Sequence, residues 1–143
     1  MSEKYTDLKG EVWSYFQDMQ HIFLATAERN QPRVRPVTLV HFNDRFWVTT
    51  GTNNAKIKQI RKNKNIEFCL LLTTGEHTGY IRGAGEAIIV QDKETIELLA
   101  NNTPFFKDFW VDADDPNYTL LEIIIENVEY LKPGEFKAEN LSV

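Results

Sequence analysis

Near the N-terminus, apolar residues recur at spacings of three and four. Tyr5, Leu8, Val12, Tyr15, Phe16 and Met19 fall on one face, which predicts a helix fading near Gln20 and His21. The period then drops to two. Residues 21–27 form a short apolar strand, ended by the turn-rich stretch Glu28-Arg29-Asn30-Gln31-Pro32. Residues 33–42 and 45–50 read as two further strands joined at Asn43-Asp44, a tight hairpin connection. Pro36 cannot donate to a ladder, so it predicts a strand edge or a bulge. Asn54 can cap a helix over residues 55–62 with Ile57 and Ile60 inward, and Asn63-Lys64-Asn65 closes it.

Ile66, Phe68, Leu70 and Leu72 alternate as a largely buried fourth strand, in which Cys69 is expected to be an inert buried thiol. Residues 80–90 form a fifth strand, and Gly83 and Gly85 within it suggest a bend. A short helix is expected over residues 92–100. Thr103-Pro104 is expected to open another, reaching Trp110. A loop at residues 112–116, a sixth strand over residues 120–131 and a short tail from Pro133-Gly134 complete the chain. The order α-β-β-β-α-β-β-α-α-β makes the chain mainly β with short helices (α+β), an antiparallel barrel-like core and not a doubly wound sheet.

With 143 residues, 42% of them apolar and 26% charged, the chain suits one soluble domain spanning residues 1–143. The formal charge of −5 opposes wrapping by a polyanion, so no nucleic-acid partner is expected. No apolar run is long enough for a membrane span and no signal peptide is recognisable, so the expected location is cytoplasmic. The lone Cys69 excludes an intramolecular disulfide and a thiolate metal cluster.

Against that acidic background, residues 56–64 hold five basic side chains in nine positions: Lys56, Lys58, Arg61, Lys62 and Lys64. Lys56 lies in the first turn of its helix, where free amides and a point charge suit a phosphate. Arg33 and Arg35, two apart on a strand, share a face and could complete the cradle. The plainer alternative is a solvated basic helix face, with Lys62 and Lys64 favoured by the C-terminal dipole. Ile57 follows Lys56 where a nucleotide P-loop needs Ser or Thr, and Gly83-Ala84-Gly85 lies in a strand pattern, so neither nucleotide fingerprint is present. His21, His41 and His77 lack ligand spacing and read as surface or boundary residues, and no metal site is expected. Phe105, Phe106, Phe109 and Trp110 suit either core or dimer packing or contact with a planar cofactor.

Several blocks, taken in order, carry a resemblance. They are Gln31-Pro32-x-x-Arg35-Pro36-Val37, Phe46-Trp47-Val48-Thr49-Thr50 and Asn54-Ala55-Lys56-Ile57-Lys58-Gln59-Ile60 with Asn63. Tyr80-Ile81-x-x-x-Gly85-x-Ala87 and Asp114-Asp115-Pro116-x-Tyr118-x-Leu120-Leu121 follow. Over residues 12–131 the chain resembles the pyridoxamine 5′-phosphate oxidase-like family of flavin-binding split barrels, in its short general branch. The resemblance implies a six-stranded antiparallel split β-barrel, a homodimer, and FMN at the subunit interface. By position it assigns Arg35 and Lys56 to the FMN phosphate and Thr49 and Thr50 to the ring and ribityl chain. It adds Lys58 and Asn54 as further contributors, places Pro36 and Val37 near the ring and Tyr80 where relatives hold a flavin-contacting glutamine, and has Trp110 close over the flavin from the partner subunit.

The sequence departs from the family in one respect. Members that oxidise pyridoxamine phosphate carry arginine and histidine near the C-terminus, whereas here the last Arg is Arg82 and the last His is His77. The expected function is therefore an FMN-dependent oxidoreductase acting on another small molecule, with NAD(P)H a possible reductant. No side chain is assigned as catalytic. The alternatives are a non-catalytic flavin carrier in redox or stress response, and a binder of a related cofactor, a deazaflavin or haem.

Overall fold

The computed structural model describes residues 7–143, so Tyr5 of the expected first helix lies outside the described residues. The strands are β1 (Met19–Glu28), β2 (Gln31–Phe42), β3 (Arg45–Gly51), β4 (Asn65–Thr74), β5 (His77–Ile89), β6 (Tyr118–Leu131) and β7 (Glu139–Ser142). The helices are α1 (Leu8–Trp13), α2 (Ala55–Lys62) and α3 (Lys93–Asn101). Every neighbouring strand pair is antiparallel, in the order β3-β2-β1-β4-β5-β6-β7, and β3 also pairs with β6. That last pairing closes six strands into a ring, the expected split barrel, with β7 appended to β6.

Two tight turns build the first three strands. Arg29 and Asn30, then Asn43 and Asp44, all have positive φ, as a two-residue hairpin of the type matching strand twist requires. Between them β2 pairs with β1 over most of its length, from Glu28 against Gln31 to Met19 against Val40. On its other side β2 meets β3 only at Val40–Phe42. Beyond Val40 the two strands part, and this is where the barrel splits.

Inward-facing side chains of the ring form the core, among them Ile22, Leu24, Leu39, Val48, Phe68, Ile81, Leu121 and Tyr130. Ile57 and Ile60 of α2 join that core, so the helix plugs one end of the barrel. A second cluster lies outside the ring, where Trp47, Tyr118 and Leu120 are covered by Leu99 and Phe106. The bend expected at Gly83 and Gly85 appears as a register shift at Ala84/Gly85, where Glu126 is left unpaired on β6. Neither glycine tolerates a side chain. A Cβ on Gly85 would lie 1.8 Å from the Ile124 carbonyl oxygen, and one on Gly83 would lie 2.3 Å from the Phe68 ring.

The structure differs from the sequence reading in four places. The first helix stops at Trp13: Ser14 turns its hydroxyl back onto the Glu11 carbonyl, Tyr15 and Phe16 make tighter three-residue bonds, and Met19 already pairs in β1. The helix expected from Thr103 to Trp110 is a single 3-10 turn, Phe106–Asp108, because the Thr103 hydroxyl bonds back to Leu99 and ends α3. The tail forms β7 against β6. Cys69 is half-buried on the outer side of β4, its thiol pushed up chiefly by desolvation.

Candidate functional site

Between the parted edges of β2 and β3 lies a cleft of about 650 Å³, within the usual size of a small-molecule site. Strand alternation divides its lining into two walls. Val37, Thr50 and Lys56 belong to the inner, barrel side, whereas His21, Pro36, Thr38, Thr49, Phe105, Asp108, Phe109 and Trp110 belong to the outer side. The ladders also determine which backbone groups face the gap. Hydrogen-bonded pairs alternate from each hairpin turn, so Pro36 and Thr38 direct their backbone away from β1, and Thr49 and Gly51 direct theirs away from β6. The amide missing at Pro36 therefore costs no ladder bond, as an edge position requires.

Two polar groups in the cleft have no partner among the described residues. The Thr49 hydroxyl is buried without a hydrogen bond, a state that costs roughly 1–3 kcal/mol unless a ligand satisfies it. Lys56, on the first turn of α2, is only 5% exposed, and among the described residues its ammonium has no carboxylate within 4.0 Å. Burial, reinforced by the Arg35 charge, pulls the Lys56 pKa down to about 8.

Arg35 stands behind Lys56. Its Nη1 donates to the Leu24 carbonyl at 3.2 Å and to the Thr26 hydroxyl at 3.0 Å, and its Nη2 donates to Gln59 Oε1 at 2.8 Å. Gln59 Oε1 also accepts from the Thr26 hydroxyl at 2.5 Å, and Gln59 Nε2 donates to Glu28 Oε1 at 3.1 Å. Desolvation lowers the Arg35 pKa, yet a guanidinium remains charged in any ordinary buffer. The mouth of the barrel therefore carries two adjacent cations, neither in an ion pair among the described residues.

The outer wall is aromatic. The Trp110 indole donates to the Asn117 carbonyl at 3.0 Å and packs against Phe106, Phe109 and Tyr118. Phe109 is 67% exposed beside it, a large apolar ring left in solvent at the rim of the cleft.

Of the residues expected from sequence, the structure brings Pro36, Val37, Thr49, Thr50, Lys56 and Trp110 to this cleft, with Arg35 directly behind. Trp110 lines the cleft of its own chain. Asn54 caps α2 by accepting from the Lys56 amide at 3.2 Å. Lys58 points to solvent on the opposite side of α2. Tyr80 lies outside this cleft, on β5, donating to Glu129 Oε2 at 2.5 Å. Sequence reasoning missed Thr38, Asp108, Gln59 and Thr26. Thr38 shares the face of Pro36 and was accessible to alternation. His21, expected as a surface or boundary residue, is exposed but reaches the cleft because it pairs with Thr38.

The fold recurs in known proteins. General stress protein 26 of Bacillus subtilis (strain 168) is 27% identical over 131 residues, covering 90% of this chain and 91% of the relative. The crystal structure of General Stress Protein 26 from Bacillus anthracis str. Sterne superposes with a TM-score of 0.74 at 26% identity, covering 95% of this chain and 98% of that one. An FAD-binding protein from Mesorhizobium loti shares the fold at a TM-score of 0.66 and 19% identity, covering 81% of this chain and 86% of its own. The profile of one family, described as pyridoxamine 5′-phosphate oxidase like, matches residues 7–139. With the six-stranded split barrel and its cleft in place over that same span, the chain belongs to the pyridoxamine 5′-phosphate oxidase like family.

Proposed function

We propose that this protein is an FMN-binding oxidoreductase acting on a small molecule other than pyridoxamine phosphate. The observation that carries the reading is the buried Lys56 ammonium at the inner wall of the cleft, without a carboxylate among the described residues. A buried cation without a carboxylate is costly unless an anion completes it, and a phosphate monoester is the anion a flavin nucleotide brings. The orphaned Thr49 hydroxyl and the backbone groups of Thr38 and Thr49 that face away from their ladders offer donors and acceptors to a polar ring edge. Phe109 and Trp110 offer apolar surface to a flat ring and exclude water from it. The name of the Mesorhizobium loti relative as FAD-binding agrees with a flavin in this fold.

When bound, FMN supplies the redox chemistry, and the protein supplies placement and electrostatics. In that division Lys56 and Arg35 neutralise the phosphate, Thr50 and Val37 line its approach from the barrel side, and no side chain need transfer a proton.

The reading includes a homodimer with the flavin near the subunit interface. Phe23, Val34 and Leu71 are exposed on the outer faces of β1, β2 and β4. Phe23 pairs with Pro36, so this apolar face runs up to the rim of the cleft. Tyr80 pairs with Leu71 at its far side, a place from which it can approach a partner's cleft.

Titration of apo-protein with FMN, followed by Trp fluorescence, tests the binding; NAD(P)H oxidation by the loaded protein tests turnover. Tight, stoichiometric FMN binding with reductant-dependent turnover supports the proposal. Binding without turnover leaves a flavin carrier, and failure to bind any flavin overturns it.

A further inference from the structure

Gln59 is assigned no role by the family resemblance, yet it is the hub of a polar network that holds the one fully buried hydrogen bond between two side chains among the described residues. It is 8% exposed and Thr26 is 3% exposed. One oxygen, Gln59 Oε1, receives both the Thr26 hydroxyl and Arg35 Nη2, at 2.5 and 2.8 Å. Its amide nitrogen donates outward to Glu28 at 3.1 Å.

A carboxylate would hold a guanidinium more strongly than an amide does, so the choice of a neutral acceptor has an electrostatic consequence. With Gln at this position Arg35 is oriented but not neutralised. Its charge adds to that of Lys56, which is why it contributes to the low Lys56 pKa. The nearest carboxylate of the network, Glu28, is kept on the far side of the amide and also lies 3.9 Å from Arg33. The barrel mouth thus presents two positive charges to one wall of the cleft.

We infer that Gln59 is a positioning residue that sets ligand specificity: it holds Arg35 beside Lys56 without neutralising it, so that the cleft selects a dianionic phosphate monoester over the same flavin lacking its phosphate. This inference rests on the flavin reading of the cleft. It adds that the discrimination between FMN and riboflavin depends on the charge at residue 59 and not on its shape.

The test is a Gln59→Glu variant, nearly isosteric, assayed for equilibrium binding of FMN and of riboflavin beside the wild type. The introduced carboxylate would pair with Arg35 and cancel one of the two charges. The expected result is a loss of FMN affinity of at least tenfold with riboflavin affinity within twofold of wild type. Gln59→Met, which removes the hydrogen bonds but adds no charge, should lose much less FMN affinity than Gln59→Glu. Unchanged FMN affinity in Gln59→Glu overturns the inference. So do equal losses for both flavins, or equal losses in the two variants, since those outcomes report shape alone. If the wild type binds neither flavin, the flavin reading itself has failed, which is a separate result.

Discussion

Lys56→Met should make the apo-protein more stable while weakening its hold on FMN. In the folded chain the ammonium sits at a pKa of about 8, against 10.5 for an ordinary lysine. At 1.36 kcal/mol per pKa unit the cost of folding with Lys56 charged is at most about 3 kcal/mol, and solvent reaching the ammonium through the open cleft screens it below that. Below pH 8 both folded and unfolded chains hold the proton, so the whole cost is present. Between pH 8 and 10.5 the unfolded chain binds more protons than the folded one, and wild-type stability rises with pH through that window. Met fills similar volume without charge and carries no such term. Urea denaturation of both apo-proteins at equal protein concentration should therefore show the variant ahead by about 1–2 kcal/mol at pH 7, with the gap closing by pH 10.5. Saturating FMN should reverse the order, because the ligand stabilises only the chain that binds it well. A variant less stable than wild type at pH 7 would refute the reasoning, since it would mean the ammonium is already compensated within the protein.

Four further outcomes follow from the same geometry. FMN affinity should be flat from pH 7 to 8 and then fall roughly tenfold per pH unit as Lys56 deprotonates in the free protein, measured by fluorescence titration; a flat profile to pH 10 would remove Lys56 from the phosphate. Gly85→Ala should lower stability by about 2 kcal/mol or more, read by thermal melting, since its Cβ would meet the Ile124 carbonyl oxygen; an unchanged melt would contradict the bulge. Oxygen uptake with pyridoxamine phosphate should be negligible, because Lys56 is the one Lys or Arg lining the cleft among the described residues and FMN occupies it, leaving Asp108 and His21 as the ionisable groups; efficient turnover at micromolar substrate would show that cations arrive from elsewhere. Light scattering at micromolar concentration should give about twice 16.6 kDa, and a flavin-binding monomer would overturn the interface.

Much of this fold was legible because its signals are local. Asn43-Asp44 specified a two-residue turn, and the alternation of Ile66, Phe68, Leu70 and Leu72 placed β4 with its correct inner face. The cleft was only half legible. Pro36 announced a strand edge and Lys56 a helix start, but nothing in the chain reveals that β2 and β3 part beyond Val40. That separation depends on β3 pairing with β6, which lies far along the chain. Gln59 was invisible for a related reason: its partners Thr26, Glu28 and Arg35 come from two strands that reach α2 only once the barrel closes. The errors at Trp13 and Thr103 both involve hydroxyl groups that bonded back to a preceding carbonyl: at Ser14 this ended a helix that apolar spacing would have continued, and at Thr103 it turned the expected cap of a new helix back onto Leu99.

The central claim is a flavin in the β2/β3 cleft with its phosphate at Lys56. It is tested most directly by the absorption spectrum of protein purified without added cofactor, alongside Lys56→Met prepared identically, with chromatography of whatever denaturation releases. The account predicts a two-banded flavin spectrum, FMN as the released compound at one per chain, and a variant that emerges nearly colourless. A haem spectrum, or equal FMN content in the two proteins, would contradict it.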